Sequence, residues 1–421
     1  EAVSWVSGKP YLFNGLFVLL SLLLFVYFLK TEEKKYLYYF LVAALLTFVT
    51  EKTRSAALPL LAILSWVVID HRLKEKVSLL KILSIFGVLF LIIVIILWPQ
   101  LMLRIQNVNS GVNASDSIFY NPFFQYPTAM AKYLQLIWVP VDLTLYHTMY
   151  VIPSWVNWII LLIYLTMVVW FWFKDKKMFF ALAFIFLATA PSMAPVKISW
   201  LVAERYVFLG SAGFAIFLAM ILEKISKKSK PLSIILLVIL VAVYSIRVFL
   251  RNIDWQTNHK LWVNTCQVSP NSHNAWNNIG DDYDKLGQYE NAIKGFTQST
   301  VVKANYADAF HNRANIFYKM GRLDLAQDSY RTALHFNPAL YQTYLSLIQI
   351  DLMQKRFDLA MSDLAMYKQY GPNDVQTAYV EAVVDAESGK IKEAKEILEA
   401  ILRVAPDYVQ AKNLYEALRN K

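Results

Sequence analysis

The second part of the chain repeats with a period of 34 residues, and this period constrains its fold more than any other feature. If one repeat starts at His273, the next starts fall at Ala307, Tyr341 and Val375. Position 20 of every repeat is alanine, position 24 is bulky and apolar, and position 32 is alanine or proline. Small residues suit the point where two helices cross, bulky residues fill the space beside it, and proline ends a helix. The period therefore predicts four stacked helix pairs.

A 34-residue helix–turn–helix period with these residues resembles the tetratricopeptide repeat (TPR). We predict an α-solenoid of four repeats, at 273–306, 307–340, 341–374 and 375–408, closed by a capping helix over 409–421. Stacked repeats of this kind form a concave groove for extended peptides or helices, so a protein or peptide partner is expected. The groove candidates are Asn277, Asn278, Asp281, His311, Asn312 and Asn315. Asparagine amides donate and accept hydrogen bonds, which suits a peptide backbone of any sequence; the alternative is ordinary solvated helix surface.

Residues 1–250 have a different character, because they consist of long apolar segments with short polar joints. A helix needs about 20 mostly apolar residues to cross a bilayer. Eight segments approach this length: 11–29, 36–50, 55–69, 78–98, 153–173, 178–196, 200–222 and 232–250. The fold class predicted for the whole chain is all-α, a polytopic transmembrane helix bundle over 1–250, a connector over 251–272 and the TPR solenoid. We expect a multi-pass membrane protein.

The distribution of charge predicts the sidedness of this bundle. Residues 1–250 hold 22 Lys/Arg and 11 Asp/Glu, whereas residues 251–421 hold 19 and 20. The repeats are therefore nearly neutral, which argues against nucleic acid as a partner. Four lysine- and arginine-rich joints fall on one side if the eight spans alternate and 128–145 does not cross. Since basic joints mark the cytoplasmic side, the TPR array is expected on the extracytoplasmic face of a bacterial cytoplasmic membrane or of the endoplasmic reticulum.

A few charged residues lie on the outer side despite this bias: Lys52, Arg54, Glu204 and Arg205. Ionisable groups at membrane depth are expensive and often functional. Arginine and lysine bind phosphate oxygens through charge-assisted hydrogen bonds, so the cations are candidates for binding the phosphate of a lipid-linked donor, with Glu204 orienting Arg205. Alternatively, Glu204 pairs with Arg205 or Lys52 as a structural element. His147 allows an acid–base or metal role, or simple solvation, and no His/Cys cluster has the spacing of a metal site.

Four segments in order carry a family resemblance. Residues 1–9 resemble the end of an "HPIHTEAVAWIAGR" motif, 51–61 resemble "SKExAVTLPLLL", 204–214 resemble "ERYLYLPSIGF", and 251–271 resemble a connector into TPRs. Together they resemble the transmembrane-and-TPR-containing (TMTC) O-mannosyltransferases and their bacterial relatives, which are glycosyltransferases of the GT-C type. The resemblance implies a GT-C-like bundle and a polyprenyl- or dolichyl-phosphate-linked, mannose-like sugar as donor. It also implies transfer to a protein acceptor on the extracytoplasmic face.

The family carries its acidic catalytic group, or metal-binding carboxylates, in a loop before the first motif. That loop would lie upstream of Glu1, so the catalytic residues are unknown here. We expect this chain to be a fragment that is inactive by itself and carries no cofactor. A divalent metal in the full-length parent remains an open alternative. Two alternatives remain open: a non-catalytic membrane scaffold that recruits envelope proteins through its TPRs, and an enzyme resembling the O-antigen ligases or polymerases.

Overall fold

The computed structural model describes residues 9–50, 57–69, 122–148, 152–193 and 201–419, and its regular elements there are helices. The chain divides into two compact units, Glu1–Ser269 and Pro270–Lys421. The helices of the first unit are α1 (Lys9–Thr31), α2 (Lys34–Thr50), α3 (Ala57–Ile69), α4 (Pro122–Trp138), α5 (Ser154–Lys174), α6 (Lys176–Thr189), α7 (Phe208–Ser226), α8 (Lys230–Asp254) and α9 (Asn258–Val268). Short 3₁₀ turns cover Ala190–Met193 and Glu204–Val207.

Within the described part of this unit, four helical stretches are long and apolar enough to cross a membrane. They are Lys9–Thr31, Ser154–Lys174, Glu204–Ser226 and Lys230–Asp254. These correspond to four of the eight predicted spans, shifted by a few residues. Three further predicted spans, 36–50, 55–69 and 178–196, fall on α2, α3 and α6, which have 17, 13 and 14 residues. The eighth, 78–98, lies outside the described residues. The all-α class is confirmed, and the count of eight spans stays a prediction.

Close packing in the first unit depends on small residues where helices cross. A Cβ atom added to Gly213 of α7 would lie 2.8 Å from the Ala181 carbonyl oxygen of α6. Without a side chain at this position, the two backbones approach closely, as is common between membrane helices. Around the crossing, Leu182, Ile185 and Phe214 are buried in one apolar cluster.

Helix α4 ends at Trp138, and its terminal carbonyl groups are bound by side chains of α8. The Tyr244 hydroxyl lies 3.0 Å from the carbonyl oxygens of both Ile137 and Trp138, and Arg247 Nε donates to the Pro140 carbonyl at 2.6 Å. The last carbonyls of a helix have no partner within the helix. Side chains of α8 therefore complete the end of α4.

The second unit consists of helix pairs in the order that the 34-residue period predicts, and the TPR solenoid is confirmed. Its helices are α10 (His273–Lys285), α11 (Tyr289–Val302), α12 (Ala307–Lys319), α13 (Leu323–Phe336), α14 (Tyr341–Met353), α15 (Phe357–Tyr370), α16 (Val375–Glu387), α17 (Ile391–Val404) and α18 (Val409–Arg419). The alanine at position 20 is fully buried in each repeat, and the bulky residue at position 24 is at most 7% exposed.

The turn inside each repeat requires a left-handed backbone at position 15. That position is Gly287, Gly321 and Gly389 in three repeats, with φ between 70° and 86°, and Lys355 in the third, with φ of 55°. Glycine adopts such angles without a steric cost, whereas lysine does not. The third repeat therefore keeps the turn of the others at the expense of local strain.

Candidate functional site

Glu204 and Arg205 lie in the 3₁₀ turn that leads directly into α7. Ala203, just before the turn, has an extended backbone, and the change of direction brings both charged side chains inside the unit. Arg205 is 7% exposed, and the side chain of Glu204 is 9% exposed. Because the turn and α7 form one apolar span-length stretch, two ionisable groups lie at the start of a hydrophobic segment. Charges in that environment need specific partners.

The carboxylate of Glu204 is bound by Arg251, which lies near the end of α8. Arg251 donates to Glu204 Oε1 through Nη2 at 2.8 Å and to Oε2 through Nε at 3.3 Å. Its Nη1 also donates to Asp254 Oδ2 at 3.1 Å and to Asn264 Oδ1 at 3.2 Å. With a side chain only 6% exposed, this one arginine ties the start of α7 to the end of α8 and to α9.

Arg251 is a residue that the sequence reasoning did not select. Its position at the start of the connector motif was the one sequence feature that pointed to it. Its partner Glu204 is 47 positions earlier, and nothing in the sequence links the two residues. Arg205 lies beside this pair, with its guanidinium carbon 5.0 Å from the centre of the Tyr206 ring. The orientation of Arg205 by Glu204 stays a prediction. Lys52 and Arg54 lie outside the described residues.

His147 lies in the non-helical stretch after α4 and is 5% exposed. Burial, together with the positive charges of Lys132 and Arg251, lowers the pKa of His147 to about 3. The imidazole is therefore uncharged at neutral pH. Among the described residues, no group of three or more His, Cys, Asp or Glu side chains is arranged to hold a metal ion.

The groove candidates of the repeats take part in hydrogen bonds and ion pairs, two of which join neighbouring repeats. Asn312 Nδ2 donates to Asn277 Oδ1 at 3.1 Å, which joins α12 to α10. A His311 ring nitrogen lies 2.9 Å from the Thr343 hydroxyl, and Asn315 accepts from the Tyr330 hydroxyl. Asp281 pairs with Lys285 in its own helix, and Asn278 is half-buried on α10. The polar row thus links successive repeats, and each asparagine amide retains only part of its hydrogen-bonding capacity for a ligand.

The fold and these sites define a helical membrane protein that carries a TPR array. Two family models match the array: "Tetratricopeptide repeat" over residues 307–340 and "TPR repeat" over residues 280–321. A solved thermophilic TPR protein from Thermus thermophilus is 16% identical, covers 43% of this chain and 95% of its own, and superposes with a TM-score of 0.32.

The resemblance to the TMTC-like O-mannosyltransferases, predicted from the sequence motifs, is confirmed by curated relatives. Protein O-mannosyl-transferase TMTC3 of Homo sapiens is 27% identical over 218 residues, which are 51% of this chain and 22% of that protein. Protein O-mannosyl-transferase Tmtc3 of Drosophila melanogaster is 22% identical over 219 residues, again 51% of this chain and 22% of the relative. The chain thus matches about a fifth of the length of these relatives.

Proposed function

We propose that this chain is part of a membrane glycosyltransferase that transfers a mannose-like sugar from a polyprenyl- or dolichyl-phosphate donor to a protein. The observation that carries the proposal is the match of half the chain to relatives named as protein O-mannosyl-transferases. Membrane-span-length helices in the first unit agree with a lipid-linked donor. The residues that perform the chemistry are unassigned in this chain.

In this proposal Arg205 contacts the donor phosphate. The N-terminal end of a helix carries partial positive charge and unpaired backbone N–H groups, so it attracts anions. Arg205 adds a full charge at the start of α7, and its guanidinium can bind two phosphate oxygens at once. The Glu204–Arg251 pair fixes the turn that carries Arg205. Lys52 and Arg54 are proposed as further phosphate contacts on the basis of their sequence positions.

The TPR groove is proposed to hold the protein acceptor, or a partner that delivers it, on the extracytoplasmic face. The support for that side is the pattern of basic joints between the apolar segments. The support for a protein ligand is the row of amide and imidazole side chains formed by Asn277, Asn312 and His311. These groups recognise a peptide backbone through hydrogen bonds that do not depend on side-chain sequence.

The proposal is tested by an assay of mannose transfer. Membranes that contain the full-length parent are supplied with radiolabelled dolichyl-phosphate mannose, and the label transferred to protein is measured. Arg205→Gln should reduce transfer at least tenfold, because a phosphate contact that includes a charge is lost, and Arg205→Lys should retain part of it. Arg403→Gln in α17 is the control, because its side chain is 79% exposed, and it should transfer normally. A parent that transfers no sugar, but still recruits proteins through its repeats, would contradict the proposal and favour a scaffold.

A further inference from the structure

The first unit contains a cavity whose lining residues do not include Glu204 or Arg205. It has a volume of about 360 Å³ and lies between α4, the non-helical stretch that follows α4, the start of α5 and the end of α9. This size is near the lower end of the range of about 300–1,000 Å³ that small-molecule sites occupy. It suits a ligand of one or two rings and excludes a folded protein segment.

The residues that line this cavity are mostly polar, although carbon atoms form the larger part of its wall. Eight of the ten lining residues carry hydrogen-bonding side chains, and the apolar exceptions are Ile152 and Val268. Ligand pockets are generally lined mainly by apolar and aromatic side chains with only a few polar groups. The hydroxyl, amide and carboxylate groups among them match the hydroxyl groups of a sugar ring, and the carbon atoms between them match the C–H faces of such a ring.

The charge of the cavity is balanced. It contains one ammonium group, that of Lys132, and one carboxylate, that of Asp142, while His147 is uncharged at neutral pH because burial depresses its pKa. Sites for phosphate groups concentrate several positive charges or backbone N–H groups. A balanced set of donors and acceptors suits an uncharged polyol better than a dianion.

The hydrogen bonds between the lining residues leave part of their capacity available. Lys132 Nζ donates to Gln135 Oε1 at 2.9 Å, Asn157 Nδ2 donates to Thr128 Oγ1 at 3.2 Å, and the Ser269 and Thr144 hydroxyls lie 3.4 Å apart. Within the described parts of the chain, the amide nitrogen of Gln135 and the amide oxygen of Asn157 bind no other protein group. Asn157 is 2% exposed and lines the cavity, so its amide oxygen is placed to accept a hydrogen bond from a ligand there.

We propose that this cavity binds a neutral hexose ring, held by the side chains of Lys132, Gln135 and Asn157, with Asp142 at its edge. The inference rests on the proposed function, because it assigns a place to the sugar that the parent would transfer. The ring belongs either to the lipid-linked donor or to a sugar already attached to the acceptor, and the two sources present the same hydroxyl chemistry to the cavity.

Saturation-transfer NMR on the detergent-solubilised chain, with methyl α-D-mannopyranoside as the probe, tests this assignment directly. The wild-type chain should give ring-proton signals that disappear in Gln135→Leu and in Ile152→Trp, which fills the cavity from its edge. Gln256→Leu, on an exposed residue between α8 and α9, is the matched control and should keep them. Melting temperatures of all variants establish that they are folded. A wild-type chain without signals, or folded cavity variants that both retain them, would overturn the assignment.

Two further measurements identify the ligand. Inorganic phosphate should leave the mannoside signals unchanged, and displacement by phosphate at equal concentration would show an anion site instead. Displacement by a short-chain polyprenyl-phosphate mannose assigns the ring to the donor, whereas persistence of the signals assigns it to an acceptor sugar. Failure of the proposed function is distinguishable: a parent that transfers no mannose, while this chain still binds the mannoside, contradicts the function but keeps the cavity assignment.

Discussion

Replacement of Arg251 by methionine should destabilise the first unit strongly. The substitution keeps an unbranched side chain of similar reach but removes the hydrogen bonds to Glu204, Asp254 and Asn264. Breaking a buried ion pair by removing one partner costs about 3–5 kcal/mol, since the other charge stays buried. Glu204 is 9% exposed, whereas Asp254 is 25% exposed and can be solvated. We therefore expect a loss of about 3 kcal/mol, at the lower end of that range.

The assay is thermal unfolding of the purified chain in detergent, followed by tryptophan fluorescence. A loss of about 3 kcal/mol corresponds to a decrease in Tm of roughly 6–12 °C, on the scale of about 2–4 °C per kcal/mol for units of 150–250 residues. Lys227→Met is the matched control, because the side chains of Lys227 and its partner Glu223 are 71% and 64% exposed. Solvent screens such a pair and its contribution to stability is small, so the Tm of this variant should stay close to that of the wild type.

A double-mutant cycle separates the pair from its surroundings. Glu204→Gln together with Arg251→Met should be less destabilising than the sum of the two single changes, by about 1–3 kcal/mol, as for residues in direct contact. Additive effects, or a decrease in Tm of less than about 2 °C for Arg251→Met alone, would refute the reasoning that this pair fixes the turn before α7.

Three further perturbations test other parts of the structure. Lys355→Gly should stabilise the second unit by about 0.5–1 kcal/mol, because glycine adopts the left-handed backbone without strain. Gly321→Lys should destabilise the same unit by about 1 kcal/mol. Chemical denaturation of the full chain measures both changes, and a loss of stability for Lys355→Gly would contradict the argument. His147 stays neutral in the folded chain but is protonated in the unfolded chain below its usual pKa of 6.5. The free energy of unfolding should therefore fall by about 1.4 kcal/mol per pH unit below that value. Between about pH 7 and pH 5, the free energy of unfolding of His147→Gln should decrease by about 2 kcal/mol less than that of the wild type, and equal decreases would refute this. Asn277→Ala with Asn312→Ala should weaken the binding of acceptor peptides several-fold in fluorescence anisotropy, whereas Asn291→Ala on α11 should not.

The sequence predicted the repeats more completely than the first unit, because the contacts in the two units differ in sequence separation. In a solenoid each repeat contacts mainly its neighbours, so a fixed spacing suffices to place Ala326 at a helix crossing and Tyr330 beside it. Packing in the first unit joins residues that are far apart in the sequence. No local sequence pattern predicts the close approach of Gly213 to Ala181. The same is true of the ion pair between Arg251 and Glu204.

The candidate site was predicted in part. Ionisable residues in an apolar context are visible in a sequence, and so Glu204, Arg205 and His147 were selected. Their partners were not, because hydrogen bonding in folded chains depends on distance in space. The cavity residues Lys132 and Asn157 had no signal of their own, since single polar residues in amphipathic segments are common.

The capping of α4 by Tyr244 and Arg247 predicts that the shape of the cavity depends on the thickness of the bilayer. The apolar stretch 232–250 of α8 spans about 28 Å at 1.5 Å per residue, close to the hydrocarbon thickness of about 30 Å. A thicker or thinner bilayer changes the tilt of such a helix. Since Tyr244 and Arg247 bind the end of α4, we expect a change in tilt to displace α4 and, with it, Lys132 and Gln135. Lipid chain length should therefore affect how well the cavity fits the proposed hexose.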